Sequence, residues 1–343
     1  MSSAHVFHTG TAEPQIKASG GTRLAVDAKN FPLLQRMAFY RLVLEPLGVR
    51  EPHWHPNAHE LTYCLSGSSL VTVFSNGSYR DSFTIEEGEM FFIPAGSLHH
   101  IENTGKGKAE FLLAFSHELP EDFGLSGTVG CMSDAVLGNT WGLPSSFFEG
   151  LKRSPEDIAI GKRSTPAEIP AEARRPSPLK FSAEKVTPSI QNPYGSAVTA
   201  KSSLWPALEN LAMFSLRLKN TAMREPHWHP QTAEMGYVHK GRARMTVLSS
   251  GGKVDTYELG PGDLYFIPRA YPHHIENIGS EEIHFCIFFD QAMVQDIGFS
   301  GCIPAYSSEV LGATFNCAPD FFAKLPAISA DLFIVERKNP VDP

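Results

Sequence analysis

His53 and His55, with Glu60 five positions further on and His99 beyond, are residue types that bind divalent metal ions, and His227, His229, Glu234 and His273 repeat the set at an offset of 174 residues. In a strand alternate residues share a face, so His53 and His55 point together while Trp54 points away; the same holds for His227 and His229 about Trp228. Glu60 would fall on the opposite face of an unbroken strand, but Pro56-Asn57 supplies a break that re-aims the chain, and Glu234 follows His229 at the same interval. A turn after Pro94 brings in His99 or His100 from a distant segment; the spacing to Asn103 favours His99, and by repeat His273. Three neutral imidazoles and one carboxylate leave up to two open positions on an octahedral ion. That arrangement suits Mn(II) or Fe(II) and admits a substrate together with dioxygen. An isolated HxH is common and means little, but here the HxH, the Glu and the later His recur together.

The repeat extends well beyond these eight residues. REPHWHP occurs at 50–56 and at 224–230, and the same offset links Gly67 to Gly241, Gly88 to Gly262, Pro94 to Pro268 and Asn103 to Asn277 without a gap. It continues outward from Phe7 to Phe181 and from Leu137-Gly138 to Leu311-Gly312. Two copies of one fold are therefore expected, at 1–170 and 171–343, joined through the Pro- and charge-rich stretch near 163–180. SLVTVF (69–74), EMFFIP (89–94) and AEFLLAF (109–115), with counterparts ARMTVL (243–248), DLYFIP (263–268) and EIHFCIFF (282–289), read as strands between Gly, Asn and Pro turns. Each copy should be all-β, a small antiparallel barrel or jelly roll, followed by short flanking helices that start near Pro144 and Pro319.

Composition narrows the function classes. The 343 residues carry a net charge of −8 with no basic patch, which gives nucleic acid no electrostatic footprint. Five cysteines without CxxC spacing argue against a disulfide framework or a thiolate zinc site. The first residues lack a basic start and an apolar stretch, and nowhere do about 18 apolar residues run together. No signal peptide, no membrane span and a cytoplasmic location are expected.

The segments HWHPNAHELTYCLSG with GEMFFIPAGSLHHIEN, and HWHPQTAEMGYVHKG with GDLYFIPRAYPHHIEN, resemble the two motifs of the cupin superfamily, and the chain as a whole resembles the bicupin oxalate decarboxylases. Only Ala270 replaces the usual glycine after the second proline. The resemblance implies His53, His55, Glu60 and His99 as ligands of one ion, and His227, His229, Glu234 and His273 as ligands of another. It also implies manganese in both sites and a trimer or hexamer. In the family an arginine holds the oxalate carboxylate, which assigns that role to Arg50 and Arg224. Their odd spacing from the first histidine would put them across a regular strand unless the chain twists near the barrel mouth; the alternative is a surface pair with Glu51 or Glu225. A guanidinium fork suits a carboxylate that also binds a metal.

The family's lid carries a Ser-Glu-Asn-Ser stretch whose glutamate donates a proton. Here the corresponding segments are SHELPEDFGLSG (116–127) and DQAMVQDIGFSG (290–301). The lid-acid position falls near Asp122, with Glu118 and Glu121 close by, whereas the second copy has Asp296, Ala292 and Gln295. The first site is thus the better candidate for decarboxylation to formate and carbon dioxide. Without a lid acid the same centre could act as an oxalate oxidase; iron, copper or nickel with a wide apolar mouth would indicate a dioxygenase of a bulkier substrate. A non-catalytic storage protein would be expected to lose the ligands. Trp54, Trp228, Phe115 and Phe289 are expected to shield the sites, and His59, His100 and His274 to adjoin the ligands without being ligands.

Overall fold

A computed structural model describes residues 3–341. It divides into two units, one made of Ala12–Lys185 with Ala207–Leu211, the other of residues through Thr11, Val186–Pro206 and Ala212 onward. A division at 170 does not match these units, because each repeat's opening strand leaves its own copy. Val6–His8 pairs antiparallel with Asp263–Ile267 of the second unit, and Lys180–Phe181 pairs with Met90–Ile93 of the first. The stretch 163–180 accordingly runs with the first unit and contains a single 3-10 turn, Ala171–Arg174.

Each unit is a pair of antiparallel sheets. In the first, a seven-stranded sheet places Glu60–Ser66 between Met90–Ile93 and Ala109–Phe115, while the second sheet places Gly48–Trp54 beside Leu98–Asn103. The second unit repeats the order with Glu234–Lys240 and Ala222–Trp228 in these positions. The expected strands at 109–115 and 243–248 coincide with observed ones, and the other four differ by a residue or so at their ends. Phe83, Phe91 and Phe111 fill the first core and Phe285, Ile275 and Val247 the second. Each fully buried side chain of this size contributes about 2–3 kcal/mol of transfer free energy.

Short helices follow each barrel as expected: Leu125–Gly130 and Asp134–Trp141 in the first unit, Phe299–Cys302 and Ser308–Phe315 in the second. Ser133 and Ser307 cap the longer helix of each pair, their hydroxyls accepting from Val136 N and Val310 N. Pro144 precedes, and Pro319 opens, only a 3-10 turn, Ser145–Phe148 and Pro319–Lys324, whose Phe148 and Phe322 rings pack back on Trp141 and Phe315 of the helix. Ala270 keeps the left-handed backbone (φ 62°) that Gly96 adopts at the matching place (φ 75°), so the turn that aims the fourth ligand survives the loss of its glycine. Among the described residues no helix is long and apolar enough to cross a membrane.

Candidate metal centre

The two barrels bring together the residues expected from their spacing. His53, His55, Glu60 and His99 place one ligand atom each within 4.8 Å of one another, and His227, His229, Glu234 and His273 do the same; all eight are buried. Residues 55–59 form no strand, so the chain turns after Trp54 and re-enters the opposite sheet at Glu60. His99 lies directly across from His53 in the adjoining strand, and His273 across from His227.

Backbone contacts aim the rings. In the first site Nδ1 of His53, His55 and His99 meets the carbonyls of Glu51, Glu121 and Ser97 at 2.8, 2.7 and 2.9 Å. In the second, the Nδ1 atoms of His227, His229 and His273 meet those of Glu225, Gln295 and Tyr271 at 2.8, 3.2 and 2.9 Å. An imidazole that donates through Nδ1 keeps the Nε2 lone pair, and the Nε2 atoms of His55 and His99 face Glu60 Oε2 at 3.3 and 3.2 Å. His55 Nε2 is buried without a hydrogen-bond partner. A buried lone pair beside a buried carboxylate is what a cation would satisfy, so the donor set fits a divalent metal ion. Burial holds His53 and His227 well below the usual imidazole range, which keeps them neutral as ligands must be. Burial would raise the Glu60 and Glu234 carboxyls, but the neighbouring histidines outweigh it and keep both ionised.

Arg50 and Arg224 reach the same interior because of a β-bulge. The pairing of Gly48–Trp54 with its neighbour skips a residue between Arg50 and His53, and the second unit shows the same slip between Arg224 and His227. One extra residue reverses the alternation, so an odd spacing ends on the shared face. Both arginines are buried, at 3% and 2% exposure, which rules out the surface pairing considered for them. Glu51 and Glu225 have a different use. The carboxylate of Glu51 accepts from Ala159 N and from Ser126 N at 2.9 Å, and that of Glu225 accepts from Phe333 N and Ser300 N at 2.7 and 2.8 Å, docking each helical tail on its barrel.

The lid acids depart from expectation. Asp122 lies at the site, but Arg50 and Arg23 both donate to its Oδ2, Arg23 at 2.5 Å. Burial pushes its carboxyl up, and Arg50, His55 and Arg23 overcome that and hold it down at about 2, so Asp122 is an anion and cannot be the resting proton donor. Glu118 is committed to the amide of Arg36, at 2.9 Å. Glu121 is exposed; its amide donates to Asn57 Oδ1 and its carbonyl meets His55, so its backbone is tied to the ligand shell while its carboxylate faces outward. In the second unit Asp296 sits 2.7 Å from His229 Nδ1 and 3.2 Å from an Arg224 nitrogen, the latter an ion pair without hydrogen-bond alignment.

Three differences between the sites escape a reading based on the repeat. Thr62 donates to Glu60 Oε1 at 2.7 Å, whereas Glu234 Oε1 receives the buried Tyr265 phenol at 2.5 Å. These hydroxyls come from opposite members of one cross-strand pair, Thr62 with Phe91 and Gly236 with Tyr265. A Cβ on Gly236 would lie 2.2 Å from the Tyr265 ring, so the phenol requires the small residue opposite it. Second, the Phe333 ring lies 3.6 Å from the Arg224 guanidinium, where the first unit has Ala159. Third, Arg23 and Tyr40 beside Asp122 correspond to Ala197 and Phe214. The signal for each was a mismatch at the repeat offset.

Phe115 packs edge-on against His55 at 4.8 Å and Phe289 against His229 at 5.0 Å, shielding the ligands. Trp54 and Trp228 lie outside, against Phe123 and Phe299 of the returning tails. His59, His100 and His274 lie next to ligands and outside both ligand groups; His59 stacks on Phe92 and accepts from Ala95 N. The second site encloses a cavity of about 10 Å³, room for a single water, lined by Arg224, the ligands and apolar side chains including Phe214, Phe289 and Phe333.

Comparison with known proteins agrees with this geometry. The chain is 27% identical over 311 residues to the oxalate decarboxylase OxdC of Bacillus subtilis, covering 88% of this chain and 80% of that protein. It is 29% identical over 283 residues to a probable oxalate decarboxylase of Arthroderma benhamiae, covering 78% and 68%. A Bacillus subtilis oxalate decarboxylase structure, solved in a study of its Mn(II) centres, superposes with a TM-score of 0.87 at 25% identity over 98% of this chain and 90% of that one. The family described as Cupin matches residues 7–146 and again 181–321, one match for each barrel and each four-residue ligand set, and the chain belongs to that family.

Proposed function

We propose that this chain is a manganese-dependent bicupin enzyme that decarboxylates oxalate, or a similar small carboxylate, to formate and carbon dioxide. The observation that carries the reading is the bulge that turns a buried arginine onto the face of a three-histidine, one-glutamate set in both barrels. Homology to oxalate decarboxylases supports the substrate. Fe(II) or another divalent transition metal would fit the same donors.

In this reading His53, His55, Glu60 and His99 hold one ion and His227, His229, Glu234 and His273 the other. Bound manganese supplies a Lewis-acidic anchor for one carboxylate and, with dioxygen, the one-electron oxidation that weakens the C–C bond. Arg50, and Arg224 in the second site, orient the other carboxylate through a charge-assisted fork. Phe115 and Phe289 keep water from the reacting carbons. Oxalate dianion becomes formate and carbon dioxide by taking up one proton. Glu121, on the loop whose carbonyl already holds His55, is the acid we assign to deliver it once that loop turns its outward-facing carboxylate inward, while Asp122 serves as partner to Arg50. Since Gln295 replaces this acid in the second unit, the first site is the decarboxylating one.

Manganese-loaded protein given oxalate under air should release formate and carbon dioxide in near-equal amounts with little hydrogen peroxide. Peroxide as the main product would replace the decarboxylase with an oxidase, and neither product would remove oxalate as substrate.

The same reading places the protein in the cytoplasm, supported by the free exposed thiols of Cys131 and Cys317. It also makes the protein a homo-oligomer, a trimer or hexamer. Support comes from the helical tails, which present Trp141, Phe147, Phe315 and Phe321 at 57–69% exposure, apolar side chains that a partner chain would cover. Sedimentation equilibrium should give three or six times the 37.6 kDa chain mass; a monomer would overturn it.

A further inference from the structure

We propose that Arg23 is a second carboxylate-binding residue of the first site. Arg23 and Arg50 form a two-guanidinium seat that Asp122 holds in competition with the free carboxylate of a metal-bound dicarboxylate. This rests on the small-carboxylate reading above and adds to it the residue that selects a dicarboxylate over a monocarboxylate.

Arg23 lies in the strand Gly21–Val26, far in sequence from the motifs, and reaches Asp122 Oδ2 at 2.5 Å, the same oxygen that takes Arg50 Nη2. Two cations thus share one oxygen of one anion. The other oxygen, Asp122 Oδ1, and the Arg23 Nε are both buried without a hydrogen-bond partner. The cluster therefore keeps a buried guanidinium donor, Arg23 Nε, that Asp122 does not satisfy, which is what an incoming carboxylate would complete. The seat is also rigidly referenced to the metal ligands. The Arg23 guanidinium lies 5.1 Å from the Tyr40 ring centre, Tyr40 packs on Phe115 at 4.5 Å, and Phe115 packs on His55 at 4.8 Å. Arg50 meanwhile has its other arm fixed by the Ala159 carbonyl at 3.1 Å.

The second unit keeps the arginine and the acid of this seat, Arg224 and Asp296, but lacks the second guanidinium. Ala197 and Phe214 replace Arg23 and Tyr40, and Phe333 covers Arg224. Selection for a dicarboxylate should therefore be a property of the first site alone.

The test measures binding by calorimetry, on manganese-loaded protein made without dioxygen so that nothing turns over, in the Glu234→Ala background that leaves one site to report. Oxalate and acetate are the probes. Arg23→Ala should weaken oxalate about tenfold, the loss of about 1.4 kcal/mol, and leave acetate within about twofold; Arg23→Lys should restore part of the difference. In air, KM for oxalate should rise with kcat held. Equal weakening of both anions would make Arg23 a structural residue, and unchanged oxalate affinity would remove it from the site; either overturns the proposal. Selective oxalate binding without formate production would instead sink the decarboxylase reading and leave the seat standing.

Discussion

Glu60→Ala should lower the manganese content from about two ions per chain to about one and reduce formate production by at least about 100-fold, whereas Glu234→Ala should remove the other ion and spare most of the activity. Glu60 is the sole anionic donor among the four residues of its set, and its Oε2 faces both His55 and His99. Without it three buried neutral imidazoles remain. Changing a residue that merely supports a ligand typically weakens metal binding 10- to 100-fold, and removing the charged ligand itself should exceed that. Elemental analysis after dialysis counts the ions, and formate assays on the two variants assign the reaction to a barrel. A Glu60→Ala, Glu234→Ala double variant that still held two ions would show that the metal lies elsewhere.

Arg50→Ala should reduce kcat/KM for oxalate by about 100-fold or more while leaving the metal content at wild type, since it removes a buried charged donor aimed at substrate without touching a ligand. It should also change the acid stability of the fold. Asp122 is held at about 2, below the usual carboxyl value of 3.8. A folded-state value depressed in this way gives stabilisation that is complete above the unfolded pKa near 4 and is lost as pH falls from there towards 2. With Asp122 a fifth exposed, the contribution is on the order of 2 kcal/mol. Losing Arg50 should shrink that acid-side fall, because only His55 and Arg23 then oppose the burial of Asp122. Thermal midpoints from pH 2.5 to pH 7 would report it, and an acid limb identical to wild type would show that Arg50 does not set the Asp122 ionisation.

Much of this was legible in the residues before any fold was known. The eight ligands followed from HxH spacing, the Pro56-Asn57 break and the offset of 174 residues, and the strands followed from short apolar runs between turns. What stayed hidden depended on pairing. Whether Arg50 faces the metal is decided by one residue of register, and a bulge leaves no mark in the sequence beyond the odd spacing itself. Asp122 could be placed at the site by counting along the lid, yet its partner Arg23 lies 99 positions away on another strand, and nothing local announces that contact. A contrast between the copies could have flagged it, since Arg23 against Ala197, Tyr40 against Phe214 and Ala159 against Phe333 all break the repeat around otherwise matching sites. The helical tails were read from their prolines, but their docking by Glu51 and Glu225 was not, because those glutamates looked like surface partners of the arginines beside them.

The strands Val6–His8 and Lys180–Phe181, each completing the sheet of the copy to which it does not belong by sequence, bear on how such a chain could arise and whether it could be undone. A gene cut between the copies would give each product the edge strand that the other needs, leaving two open sheet edges prone to unwanted pairing. The single-copy ancestor would have met the same requirement by lending its first strand to a twin, so the duplication reads as the covalent fusion of a strand-exchanged dimer. Once fused, the copies were free to diverge around their metals, as the phenol of Tyr265 and the guanidinium of Arg23 show, but neither could be discarded.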